Sequence, residues 1–364
     1  MARQIFINGR FLSQAITGVQ RYAAEIVKGI DEIISLDDSL RRKFQFSILA
    51  PKGVGRELNL KNISLNEVGR RHGHLWEQLE LPFHSRKGIL VNLCNMAPIL
   101  KRQQTVTIHD VAVFAMPHAY TRSFRIWYRL IFRTLRVRPA EIITDTTFSA
   151  SEIKKYLPAK EKRVTVIPAG CEHISDVTSD HRIISRLGLT SGNYLLAVSS
   201  LNERKNFRGF LAAIGQRDFA KYQTVVVGNL NKKIFGDSAV RLPDNIVQVT
   251  EINDAELKAL YANAAVFVYP SFYEGFGLPP LEAMVCGVPA VVSDIPAHRE
   301  VCGEAALYCN PYEIKDIAEK IEKVLLSGDI REEMIARGKE RAEMFSWKNS
   351  AQMLLDLINE RFSP

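Results

Sequence analysis

The chain has 364 residues, 46% of them hydrophobic and 24% charged, which is the balance of a soluble globular protein with material for two cores. No apolar run reaches the roughly 20 residues that span a bilayer, and MARQIFINGRF has neither an apolar core nor a small-residue cleavage site, so neither a membrane span nor a secretion signal is expected. The net charge of +8 asks for an anionic partner, but zinc-finger, RNP and basic-zipper patterns are missing, so nucleic acid is not expected. The five cysteines are scattered without CxxC pairing, which predicts reduced thiols in a cytoplasm rather than disulfides or a zinc site.

Taken in chain order, QIFIN (4–8) reads as a strand and is followed by ITGVQRYAAEI, where Thr17 and Gly18 open an amphipathic helix. FSILAP (46–51), GILVNL (88–93) and TVTIH (105–109) are further strands, and the last places His109 at a strand exit. The stretch RSFRIWYRLIFRTLRVRP (122–139) interleaves arginines at 122, 125, 129, 133, 136 and 138 with aromatic and aliphatic residues. Such a helix either packs with one charged face outward or lies on an anionic membrane. EIITD (141–145) and RVTVIP (163–168) complete the first set of strands.

The polar stretch PAGCEHISDVTSDHR (168–182) lacks periodicity and marks a domain boundary, giving 1–175 as one domain and 176–349 as the other. YLLAVSS (194–200) starts the second set and leads into SSLNERKN (199–206). Arg204 and Lys205 there stand at a strand exit, where an arginine fork and a lysine point charge can hold a diphosphate, and Asn206 can cap the next helix. TVVVG (224–228), IVQVT (246–250), AVFVYP (265–270) and PAVVSD (289–294) come next, and the last 40 residues are helical with a break near FSWKN. These are eleven short Val- and Ile-rich strands alternating with helices, which predicts doubly wound parallel sheets in two domains.

Between AVFVYP and PAVVSD lies SFYEGFGLPPLE, with Glu274 and Glu282 eight positions apart. Gly275 and Gly277 permit a tight turn, and Pro279 and Pro280 suit the first turn of a short helix, so the amides of Gly275, Phe276, Gly277 and Leu278 make an anion site. Along one helix the acids would stand roughly 12 Å apart, more than a retaining glycosidase uses. They are better placed to accept hydrogen bonds from hydroxyls around a bound phosphate than to share a proton. A dinucleotide fold competes, since GFG begins a G-x-G-x-x-G and Asp294 ends the next strand, but Pro280 occupies the third glycine position.

The E-G-F-G-L-P-P-L-E-A-M stretch, SLNERKN, GVPAVVSDIPAHREV and GEAALYCNP together resemble the retaining glycosyltransferases of family 4, over residues 190 to 350; TGVQRY and IHD are the recognisable points before that. The resemblance implies the GT-B fold: two Rossmann-like domains facing across a cleft, with helix 350–364 crossing back to the first. It implies that Arg204 and Lys205 neutralise the donor diphosphate without a metal or cofactor. It also implies that Glu282 holds the ribose, Glu274 the transferred sugar, Ile252 the base, His109 the reacting sugar and Gly18 the phosphates or acceptor. The donor would be GDP-mannose or a UDP-sugar, and the acceptor a glycan or an undecaprenyl-diphosphate-linked saccharide. The place of work would be the cytoplasm or the inner face of its membrane. A non-hydrolysing sugar-nucleotide epimerase and a non-catalytic sugar-nucleotide binder are the alternatives. Glu203 stands where the family has proline, and the Gly18 loop has one glycine where many members have two.

Overall fold

The computed structural model describes residues 2–137, 140–157, 164–198, 202–216, 219, 221–228 and 245–362, with the backbone alone at 136 and 137. Arg138, Arg163, Ser199, Ser200 and Leu201 of the stretches quoted lie outside the described residues. In chain order the strands are β1 (Arg3–Asn8), β2 (Phe44–Ala50), β3 (Ser64–Glu67), β4 (Ile89–Asn92), β5 (Gln104–Thr107), β6 (Glu141–Thr144), β7 (Val164–Val166), β8 (Tyr194–Val198), β9 (Gln223–Val227), β10 (Ile246–Val249), β11 (Val266–Tyr269), β12 (Ala290–Ser293) and β13 (Ala306–Cys309). They form a seven-stranded sheet, β3-β2-β1-β4-β5-β6-β7, and a six-stranded sheet, β10-β9-β8-β11-β12-β13. Every pairing among the described residues is parallel. Parallel neighbours cannot be joined by a tight turn, so each strand hands over to a crossover, usually a helix, which covers a sheet face.

Two strands have no counterpart among the eleven expected. β3 reads Ser-Leu-Asn-Glu, is exposed throughout and forms a sheet edge, so it shows no apolar run. β13 reads Ala-Leu-Tyr-Cys, also at an edge and only half-buried, and so short a stretch gives no strand signal. The inner strands β4, β11 and β12 are buried at every residue, as their apolar composition requires.

The chain divides into one unit of Met1–Gly170 with Ser346–Pro364 and a second of Cys171–Phe345. These boundaries fall five and four residues before those read from the sequence. The break before the last helix (Trp347–Phe362) lies at Met344–Ser346. That helix packs on the first (Gly18–Leu36). Trp347 meets Tyr22 edge to face at 5.7 Å, the Ser350 hydroxyl donates to the Pro168 carbonyl at 2.7 Å, and Arg3 donates to the Phe362 carbonyl at 2.5 Å. A Cβ on Gly29 would come within 2.7 Å of the Ala351 Cβ, so the two helix backbones approach as closely as glycine allows.

Gly29→Val is therefore expected to destabilise the first unit by about 1–3 kcal/mol through overpacking. Denaturant unfolding measures it, and a variant as stable as the parent would show that the contact is not tight.

Candidate active site

Winding of the second sheet reverses between β8 and β11. Ligands of open parallel sheets bind beyond the carboxyl ends of the strands at such a reversal. The loop after β8 brings Arg204 and Lys205 to that point, and the loop after β11 brings Glu274 and the glycines.

Local rules fix the first loop. Glu203–Lys205 is a single turn whose start is capped by the Asn202 side chain, accepting from the Arg204 amide. Asn206 then takes a left-handed backbone conformation, φ 53°. Its carboxamide accepts from the Gly209 amide at 3.2 Å, capping the helix Phe207–Gln216, and donates to the Pro311 carbonyl at 2.6 Å. The Phe272 amide donates to the Arg204 carbonyl at 2.8 Å and ties the two loops together.

Across that tie Lys205 reaches Glu274. The ammonium lies 2.6 Å from Glu274 Oε1, donates also to the Tyr269 hydroxyl, and sits 4.9 Å from the centre of the Tyr269 ring. The two charged side chains are only 10% and 6% exposed. Burial opposes the charge on Glu274, but Lys205 and Arg204 outweigh it and hold the carboxyl at about 2. His298, in the helix Pro296–Cys302, is fully buried beside this pair. Its Nδ1 donates to the Ser293 carbonyl at 3.1 Å, and Nε2 has no hydrogen-bond partner among the described residues. Burial lowers its pKa to about 4, so the ring is neutral with its lone pair on Nε2. Gly277 is left-handed, φ 92°, and a Cβ there would stand 3.1 Å from His298 Cδ2. The helix Leu278–Val285 starts at that glycine, and Pro279 and Pro280 carry no N–H to leave unsatisfied. Phe276 is buried against Phe345, ring centres 5.7 Å apart.

Glu282 belongs to a different set of partners. His173 Nε2 donates to one oxygen and the Tyr261 hydroxyl to the other, each at 2.9 Å, and the carboxylate is nearly buried. These bonds to Glu282 thus come from other residues than Lys205, which holds Glu274. Ile252, half-buried, follows β10 just ahead of the capping box of Asn253 and Glu256. Asp294 makes a two-pronged pair with Arg299 at 2.7 and 2.8 Å, so its carboxylate is held by the protein itself.

Gly18 and His109 belong to the first unit. Gly18 is the first residue of its helix, behind a capping box of Thr17 and Gln20, and no described atom lies within 4 Å of where its Cβ would be. His109 is buried after β5. Its Nδ1 lies 2.7 Å from Asp145 Oδ2 and its Nε2 2.9 Å from the Leu93 carbonyl. An imidazole between two oxygens can donate from both nitrogens when it is charged. Burial works against that charge, and the Asp145 carboxylate overcomes it and raises the pKa.

Nine of the eleven expected site residues thus lie in the second unit, and Arg204, Lys205, Glu274 and Gly277 gather at the reversal. Sequence reasoning missed Tyr269, His298, His173, Tyr261 and Asp145. Tyr269 had a signal, a polar tip closing an apolar strand beside the acid. The others come from distant elements, and no spacing announces them.

Residues 181–341 match the profile of glycosyl transferases group 1. The chain is 31% identical over 256 residues to the O-antigen chain mannosyltransferase B of Escherichia coli, an alignment that takes in 67% of this chain and 66% of that protein, just under two thirds. It is 24% identical over 379 residues to the O-antigen chain mannosyltransferase RfbU of Salmonella typhimurium, covering 98% and 99%. Among solved structures it resembles Anabaena Alr3699/HepE, crystallised with UDP and glucose, with TM-score 0.73, 15% identity and coverage of 98% and 100%. The structural likeness shows the fold, GT-B with two Rossmann-like domains.

Lys205→Met leaves Glu274 buried without its cation and is expected to cost about 3 kcal/mol at neutral pH. A depressed carboxyl pKa stabilises above the ordinary value of 4.5 and stops doing so as pH falls toward 2, so the deficit should shrink over that window. Unfolding of parent and variant from pH 7 to pH 2 checks this; a deficit independent of pH would refute the pairing. Gly277→Ala should lose donor affinity as well as stability, read by calorimetry.

Proposed function

We propose that the chain is a glycosyl transferase of group 1, whose profile residues 181–341 match, and that it acts as a retaining mannosyltransferase that builds bacterial surface polysaccharide. The donor is a nucleoside-diphosphate mannose, with a UDP-sugar as the second choice, and the acceptor is a glycan or a saccharide on undecaprenyl diphosphate. The mannosyl choice rests on the names of the O-antigen relatives, and the nucleotide-sugar on the UDP and glucose held by the structural neighbour. One observation carries the reading: Lys205 and the buried Glu274, joined at 2.6 Å, stand with Arg204 where the winding of the second sheet reverses.

In the reaction the bond from sugar C1 to the diphosphate oxygen breaks. The acceptor oxygen bonds to C1 on the same face, and the acceptor proton leaves with the diphosphate. Negative charge grows on the diphosphate as the bond lengthens, and groups already aimed there stabilise that charge more than they stabilise the ground state. Arg204 offers a fork and Lys205 a point charge, with the amides of Gly275 to Leu278 beside them. Glu274, ionised by the same cations, accepts from sugar hydroxyls. Glu282, oriented by His173 and Tyr261, accepts from ribose hydroxyls. Ile252 offers the base an apolar contact, and Gly18 leaves open space for the acceptor. With two cations at the diphosphate, a divalent ion is not required.

No described helix is long and apolar enough to cross a membrane. The reading places the protein on the cytoplasmic side, with the arginine-rich helix Arg122–Val137 toward anionic lipid at the membrane's inner face.

A thermal-shift panel of GDP-mannose, UDP-glucose and dTDP-glucose should single out one base, since bound donor stabilises by mass action. Arg204→Ala should then lower turnover by roughly 10²–10³-fold. Transfer should persist in EDTA, and the product should keep the donor's anomeric configuration by NMR. Near-normal turnover in Arg204→Ala would sink the diphosphate assignment, and epimerised donor formed without acceptor would sink the transferase.

A further inference from the structure

One face of the first unit exposes two rows of large apolar side chains. The segment Gly73–His84 buries Trp76, Glu77 and Leu81 and turns Leu75, Leu79 and Phe83 outward, four residues apart, at 63%, 54% and 60% exposure. The helix Arg122–Val137 buries Tyr128, Ile131, Phe132 and Leu135 and exposes Ile126 at 66% and Leu130 at 45%, again four apart. Single exposed leucines need no explanation, whereas five such side chains in two rows do. The rows adjoin. The His74 and Trp127 rings meet edge to face, centres 6.1 Å apart, and these residues are the chain neighbours of Leu75 and Ile126.

The charge around the rows has one sign. The Arg122–Val137 helix contains five arginines and no acid. Arg70, Arg71, Arg86 and Lys87 flank the other segment, and Arg86 lies over the Phe83 ring at 4.8 Å. The acids nearby are already committed. Glu77 is buried against Asn8 and Arg10, while Glu80 accepts from the Arg70 and Arg71 amides and pairs with Arg71.

We propose that this face docks on an anionic phospholipid bilayer, with both rows entering the boundary between headgroups and acyl chains. Apolar rows rimmed by cations match that boundary in polarity and in charge. A second copy of the chain would bring arginines against arginines. The inference rests on the proposed membrane placement and adds to it the Gly73–His84 row, which makes the contact two helices wide.

The test is co-sedimentation with vesicles of phosphatidylcholine alone or mixed with phosphatidylglycerol, for the full chain and for Leu79→Asp/Phe83→Asp. The parent should pellet with phosphatidylglycerol vesicles and be released by salt, and should ignore phosphatidylcholine. The double variant should bind roughly tenfold more weakly. Both side chains are exposed, so its melting temperature and its stabilisation by donor should match the parent's. A variant that pellets like the parent overturns this inference and leaves the membrane placement standing. A parent that ignores phosphatidylglycerol overturns both. A parent that is dimeric by light scattering, with a monomeric variant, makes the face a self-contact and overturns the docking.

Discussion

The contact between Lys205 and Glu274 constrains the rest of the site. Neither charge is tolerated in so buried a place without the other, since the desolvation of each is repaid only by a partner at contact distance. That requirement joins the loop after β8 to the loop after β11, so the reversal of the sheet becomes a fixed geometry rather than a gap between two mobile segments. The supporting bonds serve the same end. Asn206 adopts a left-handed conformation and caps a helix, which fixes the backbone next to Lys205. The tie from Phe272 to the Arg204 carbonyl sets the spacing of the two loops. Tyr269 gives the ammonium a hydroxyl and a ring face, so its charge is spread over three contacts.

The pair also explains why the two glutamates of SFYEGFGLPPLE differ. Glu274 is held ionised by cations, a state suited to accepting hydroxyls next to a diphosphate. Glu282 receives neutral-type hydrogen bonds from Tyr261 and a bond from His173. Those partners orient its carboxylate without adding the charge of Arg204 and Lys205. Eight residues of separation, a left-handed glycine and a helix start place the acids in two environments, and the amides proposed to face the diphosphate lie in the chain between them.

Much of this was legible in the sequence, because the strands that build the reversal are the most apolar in the chain. YLLAV and VFVY have nowhere to go but the centre of a sheet, and the loop leaving each must stand at its carboxyl end. The edges were not legible. SLNE pairs through its backbone and has no need of apolar side chains. Nor were the partners that arrive from afar. His298 comes after β12 as an ordinary residue of a helical turn, and only the fold reveals that it fills the space a side chain on Gly277 would need. His173 lies 109 positions from the acid it orients, and spacing carries no information at that range.

The first unit handles polar groups in the opposite places from apolar ones. Asn8 and Asn92 close β1 and β4, where its own sheet reverses, and they bond to each other at 3.0 Å; Asn8 also reaches Glu77 at 2.8 Å. Glu77 is buried one turn from Leu81, on the segment whose other side carries Leu75, Leu79 and Phe83 into solvent. A segment that buries an acid beside Trp76 and Leu81 and still exposes two leucines and a phenylalanine carries apolar side chains on both of its sides, unlike the usual helix on a sheet. The buried acid has a reason, since Asn8 and Arg10 need an acceptor at the end of β1. The exposed leucines have no such reason within the unit. Hydrophobic burial alone would favour covering them, and the docking proposed above would supply that cover.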